Sequence, residues 1–264
     1  MNGTETGLDI YTLDVHSQSL ANESPEVVLA WIASTVGPGV VFASSLGMED
    51  QVITHMIAAA RLPIEIFTLD TGRLFPETYD LIARTELRYA IRIRTLFPDA
   101  AAVEAMVTEE GVNLFRHSVE SRRRCCHVRK VEPLRRHLRK ARAWVCGLRA
   151  EQSDNRSGVS ALAWDADNGL PKVCPLHAWS WEQVRDYATT HDVPVHPLHE
   201  QGFASIGCAP CTRAIAPGEP FRAGRWWWEG EEHKECGLHR AGGRLVRPST
   251  APRHRAGPPT EESP

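Results

Sequence analysis

Two pairs of cysteines stand far apart in this chain, "CC" at Cys125–Cys126 and "CAPC" at Cys208–Cys211. Adjacent cysteines are poorly placed to bond to each other, so the first pair points to a shared external ligand. Four thiolates on two segments suit a structural zinc or a cubane iron–sulfur cluster. Neighbouring side chains diverge from one small ion, and iron atoms at separate corners of a cluster accommodate that divergence better. Unliganded buried thiols are the plain alternative. Cys146 and Cys174 lie in apolar, strand-like runs and read as core. Cys236, in "EEHKECGLHR", stands apart: Lys234, His233 and His239 favour its thiolate, the nucleophilic form, and Gly237 with polar flanks marks an exposed segment. Seven cysteines is an odd number, which leaves one thiol for a separate task.

The paired cysteines at 125–126 sit in a positive field. Between Arg116 and Arg142 there are 11 basic residues against 2 acidic ones, while the whole chain carries a net charge of −3. Such a block is a solvated helix face, a nucleic-acid site or a small-anion site, and the acidic balance elsewhere argues against wrapping a long polyanion. Two further stretches could receive a small anion. "SSLGMED" follows a strand and opens a helix, where backbone N–H groups and the helix dipole favour phosphate or sulfate. Ser44, Ser45 and Gly47 are small enough for close approach, and no Walker lysine is present. "LDTGRLFPETY" ends the next strand, with Leu69 leading into the sharp turn at Asp70–Gly72, and Arg73 faces either an anion or plain solvent.

The elements that must position these residues alternate. "GVVFASS", "IEIFTLD", "IRIRTLF" and "AWVCGL" read as apolar strands separated by helical patterns. Pro76 suits a first helical turn, Asp99 a cap and Gly111 a stop. The basic block is helical. "DADNG" between two short runs predicts a hairpin, and Ser180 with Gln183 a capping box. The pattern is that of an α/β fold, an open, mostly parallel sheet with helices on both faces, followed by an irregular C-terminal segment. We divide the chain into a flexible segment at 1–23, an α/β nucleotide- and cluster-binding domain at 24–205, a catalytic segment at 206–240 and a disordered tail at 241–264.

The 264 residues, 42% hydrophobic and 24% charged, support a full core. The N-terminus lacks the basic-then-apolar order of a secretory signal, and no apolar run approaches a membrane span, so the expected location is cytoplasmic, without a membrane partner.

Taken together, "SSLGMED", "LDTGRLFPET", "CCHVRKVEPL", "GLRAEQS", "GCAPCTR", "RAGRWWWE" and "KECGLH" resemble the assimilatory adenylyl-sulfate reductases, within the adenylyl- and phosphoadenylyl-sulfate reductase family. The resemblance runs from about Ser24 to His239. It implies an adenine nucleotide alpha hydrolase-like fold and a [4Fe–4S] cluster on Cys125, Cys126, Cys208 and Cys211. It makes Cys236 the nucleophile, with Lys130 between cluster and phosphosulfate. It also implies His239, Arg149, Arg222 and Arg225 as contacts of the anionic substrate. The reaction implied is reduction of adenylyl sulfate to sulfite and AMP through a thiosulfonate on Cys236, for sulfate assimilation and cysteine biosynthesis. The electron donor would be thioredoxin or a glutaredoxin-like protein; a homo-oligomer is left open, and no nucleic acid is expected. Alternatives are a phosphoadenylyl-sulfate or dual-specificity reductase and an iron–sulfur tRNA-thiolating enzyme, although "SSLGMED" lacks the second Gly and the Lys of an SGGKDS loop. A zinc-bearing nucleic-acid-binding regulator explains only the cysteines and the charge.

Overall fold

The computed structural model describes residues 8, 12–152 and 156–230. Its sheet has six strands: β1 (Val40–Ala43), β2 (Glu65–Leu69), β3 (Arg94–Leu96), β4 (Ala143–Val145), β5 (Leu162–Asp165) and β6 (Leu170–Val173). Their order is β3-β2-β1-β4-β6-β5, all parallel except β5, which runs antiparallel to β6. From β1 the chain steps outward through β2 and β3, then returns to place β4 on the other flank of β1. The order therefore reverses between β1 and β4, and at such a point an open α/β sheet leaves a crevice at its carboxyl edge.

Alternation along each strand shows that both faces are covered. Val40, Phe42, Ile66 and Val145 join one large core with α2 (Pro25–Val36), α3 (Met48–Ala59) and α8 (Trp181–Thr190). Val41, Phe67, Trp144 and Cys146 face the other way, against Leu134 and Leu138 of α7 (Glu132–Leu138). Phe42, Phe67, Trp144 and Val145 are wholly buried, each such side chain contributing about 1.5–3 kcal/mol.

Local signals set most element ends. Pro76 occupies the first turn of α4 (Pro76–Tyr89). Asp99 accepts from the Ala102 amide to open α5 (Ala100–Glu110), and Gly111 closes it at φ 87°. Ser180 and Gln183 form a capping box on α8. The hairpin joins β5 to β6 through Ala166–Gly169.

Two features depart from the sequence reading. Within the segment expected to be flexible, Leu13–Leu20 forms helix α1, with Leu13 and Leu20 buried. Apolar residues one heptad apart suffice to seat it on the core, although the surrounding polar residues mask the pattern. The basic block is not one regular helix: α6 (Val119–Cys126) passes through a π turn at His127–Val131 into α7. Such turns shift the faces that follow and recur at functional sites. No helix among the described residues is long and apolar enough to cross a membrane.

Candidate functional site: two adjoining cavities at the sheet edge

A cavity of about 210 Å³ opens at the carboxyl edge, at the reversal between β1 and β4. Its floor is apolar, built from Phe67 and Leu69 of β2, Trp144 of β4, and Cys146 and Leu148 just beyond β4. Its rim is polar: Ser44, Ser45 and Gly47 after β1, then Lys130, Arg156, Arg222 and Arg225. An apolar slot with cations at its edge suits a planar base at one end and an anion at the other.

The loop after β1 is held from beneath. Asp50, on the first turn of α3, accepts from both the amide and the hydroxyl of Ser45, each at 2.6 Å. The Ser45 hydroxyl is thus already committed to Asp50. Ser44 Oγ accepts from Leu46 N at 3.2 Å, and Leu46 takes a left-handed φ of 62° with its side chain in the core. Burial pushes the Asp50 carboxyl up to about 6, with the Glu49 charge adding to the rise, although the Ser45 bonds oppose it. Gly147 passes so close that a Cβ there would collide with Asp50 Oδ1. The loops after β1 and β4 are therefore locked together.

A second cavity adjoins the first. Cys125, Cys126, Cys208 and Cys211 all line it, walled by Phe115 and Pro210 and flanked by Arg122 and Arg129. Cys125 and Cys126 end α6, so their side chains leave the helix about 100° apart. Cys208 and Cys211 bracket a single 3₁₀ turn fixed by Cys211 N donating to Cys208 O at 2.9 Å and by Ala209 N donating to Arg73 O at 2.8 Å. Burial pushes the Cys125 thiol up and the Cys211 thiol to about 11. Burial also opposes ionisation of Cys208, but the Lys130 charge, the Thr71 hydroxyl at 3.3 Å and Arg225 outweigh it and bring that thiol below its ordinary value. No cluster of three or more acidic, His or Cys side chains among the described residues is tight enough for a lone metal ion. Four thiols spread around one cavity, with cations against them, fit a polynuclear thiolate-bound group better than a single zinc.

Lys130, Cys208 and Trp226 line both cavities and form the partition between them. The π turn places Lys130 there, five residues after Cys125. Trp226 is buried between two guanidinium groups, Arg122 at 4.5 Å and Arg225 at 4.7 Å from its ring centroid. Arg122 is itself fully buried and paired with Glu229 at 2.8 Å.

Residues 39–214 match the phosphoadenosine phosphosulfate reductase domain. The chain belongs to that family. It is 47% identical, over 95% of each chain, to an adenosine 5'-phosphosulfate reductase of Agrobacterium fabrum. It is 55% identical to one of Allochromatium vinosum, over 76% of this chain and 78% of that one. Among solved structures, the phosphoadenylyl-sulfate reductase of Candida auris, crystallised as a phosphate complex, superposes with a TM-score of 0.67 at 26% identity, covering 79% of this chain and 98% of that one.

The family signatures noted in the sequence do not all meet in the first cavity. Ser44, Ser45, Gly47, Leu69, Lys130, Arg222 and Arg225 line it; Gly72, Arg73 and Arg149 do not. Gly72 lies behind, its amide donating to Asp70 Oδ1 at 2.7 Å. Arg73 turns away to Asn113 and the Val112 carbonyl and stacks over Phe115, on the wall of the cysteine cavity. Arg149 is buried under the floor, where Nε and Nη2 donate to Glu49 Oε1, each at 3.1 Å, and Nη1 donates to Trp179 O at 3.0 Å. The arginine of this segment that does reach the cavity is Arg156, seven residues on, a position marked only by a polar loop. Asp50, Arg122 and Arg129 were also unforeseen. Asp50 carried one available signal, an acidic residue in a helix's first turn, which can reach back to the preceding loop. Cys236 and His239 lie outside the described residues.

Proposed function

We propose that this protein reduces adenylyl sulfate to sulfite and AMP, with a thioredoxin-like dithiol protein as reductant. The observation that carries this reading is the shared partition: Lys130 and Cys208 face the nucleotide-sized cavity on one side and the four-cysteine cavity on the other. Family membership and relatives bearing the name adenosine 5'-phosphosulfate reductase support it.

The apolar floor around Phe67, Trp144 and Leu148 takes the adenine, and the Ser44–Gly47 loop takes the α-phosphate at the N-terminus of α3. Lys130, Arg156, Arg222 and Arg225 take the charge of the phosphosulfate. Cys236 thiolate attacks the sulfur; the bond from sulfur to the bridging oxygen breaks, and AMP leaves with the electron pair. The product is a thiosulfonate on Cys236. A thiolate of the reductant then attacks Cys236 Sγ, sulfite departs, and the second reductant thiol resolves the mixed disulfide. His239 is the candidate contact to the departing charge. Cys125, Cys126, Cys208 and Cys211 would hold a [4Fe–4S] cluster, which would supply a charged wall against which the Lys130 ammonium is positioned.

The test is a single turnover without reductant. Cys236 should gain the mass of one SO₃ group with release of one AMP, and reduced thioredoxin should convert it to sulfite. AMP release with no adduct on Cys236 would sink the mechanism. Equal or faster turnover of the 3'-phosphorylated nucleotide would reassign the substrate.

A further inference from the structure

Two cysteines remain outside this chemistry, and the fold places them in contact. Val145 of β4 pairs with Val173 of β6, and Cys146 N donates to Val173 O at 3.0 Å. Cys146 and Cys174 therefore leave two parallel neighbours side by side and on one face, among the same core residues. Their sulfurs lie 3.5 Å apart, at 2% and 4% exposure. Adjacent strands run about 4.8 Å apart, within the Cα separation that a disulfide tolerates. Of the two, Cys146 alone lines the nucleotide cavity.

We propose that Cys146 and Cys174 are a peroxide-oxidisable dithiol, whose disulfide distorts the floor of the nucleotide cavity and weakens nucleotide binding. The two thiols are unequal. Burial opposes ionisation of Cys146, but the S–H of Cys174, the Lys172 charge and the Leu148 amide outweigh it and bring that thiol down. Cys174, bonded to Cys146 and buried, is pushed well up. The thiol that ionises more easily is placed to attack, and its protonated neighbour to resolve.

A small peroxide enters through the empty cavity. Cys146 thiolate attacks one oxygen, the O–O bond breaks, and hydroxide leaves and takes a proton to become water, so Cys146 becomes a sulfenic acid. Cys174 then attacks that sulfur, the S–O bond breaks, and a second water departs. Two thiols and one peroxide thus give one disulfide and two waters. Closing the sulfurs from 3.5 Å to about 2.0 Å draws the ends of β4 and β6 together. Gly147 follows Cys146 directly and has no slack against Asp50, so the movement passes into the loops after β1 and β4.

The binding consequence rests on the nucleotide reading of the cavity; formation of the disulfide does not. Trypsin isolates each thiol as the sole cysteine of its peptide, Ala143–Arg149 for Cys146 and Val173–Arg185 for Cys174. The full-length, cluster-loaded protein would be treated with hydrogen peroxide, alkylated and digested without reductant. The expected product is the two peptides joined, two hydrogens lighter than their sum, and reversible by dithiothreitol. Its yield should fall about tenfold at saturating AMP, and oxidation should weaken AMP binding about tenfold in the wild type but not in Cys174→Ser. Recovery of both peptides fully alkylated, while Cys236 or the other cysteines are oxidised, would overturn the proposal. So would equal oxidation of Cys146 with and without Cys174 and no joined product. A disulfide that forms equally fast with AMP bound would overturn the cavity as the oxidant's route.

Discussion

Asp50 receives Ser45 twice, through the amide and through the hydroxyl, each at 2.6 Å. These bonds and one from the Gly147 backbone are not enough to hold its carboxyl at an ordinary value, because burial lifts it from 3.8 to about 6. A raised carboxyl binds its proton in the folded state while the unfolded chain has already released one. Stability should therefore fall as pH rises through this interval and level off above 6, by at most about 3 kcal/mol. Asp50→Asn should remove that slope. Urea denaturation of both proteins from pH 4.5 to 7.5 measures it, and parallel pH curves would refute the assignment.

Lys130 should be indispensable to turnover and dispensable to folding. Its ammonium bonds to Cys208 and its side chain borders the nucleotide cavity, so Lys130→Ala removes one charge-assisted contact, about 1.5–3 kcal/mol, or roughly ten- to hundredfold in kcat/KM. The iron content should stay unchanged. Wild-type kinetics would return Lys130 to a solvated helix face.

Cys208→Ser should lose the cluster. The wild type, purified without oxygen, should carry about four irons and four sulfides per chain. A colourless, fully active protein containing zinc would contradict both expectations.

Arg149 and Arg156 should separate structural from binding effects. Arg149→Ala leaves Glu49 buried without its cation, which costs about 3–5 kcal/mol of stability. Arg156→Ala should leave the melting temperature within about a degree or two, consistent with a surface change, and should weaken AMP-sulfate binding. Calorimetry with nucleotide titration distinguishes the two, and the reverse pattern would place Arg149 back at the substrate.

Glu229→Ala should destabilise more than Glu229→Gln. The alanine leaves the Arg122 guanidinium, fully buried, without its carboxylate counter-charge, a loss of about 3–5 kcal/mol. The glutamine retains one acceptor oxygen. Equal melting points for all three proteins would show that this pair adds nothing.

Much of the scaffold was legible because its signals are local. Asp99, Gly111, Pro76 and the Ser180–Gln183 box act within one helical turn, and the apolar strands declare themselves by composition. The pairing of Cys125–Cys126 with Cys208–Cys211 was legible from residue type alone, and the fold brings the four to one cavity. What stayed hidden depends on where side chains end. Arg73 and Arg149 look like anion contacts in sequence, yet their guanidiniums are claimed by Asn113 and Glu49, residues 40 and 100 positions away. The π turn after Cys126 was equally hidden, since no residue type demands it, and it sets the direction of Lys130.

The buried Arg122–Glu229 pair also fixes an address. Cys236 follows Glu229 by seven residues, a leash that reaches at most about 25 Å even fully extended. Covalent reach alone keeps the proposed nucleophile within that distance of Glu229, at an effective concentration on the order of millimolar. The proposed attack on substrate would then be first order in protein and indifferent to dilution. Releasing Glu229 would lengthen that reach, and encounter frequency would fall roughly as the −3/2 power of the tether length.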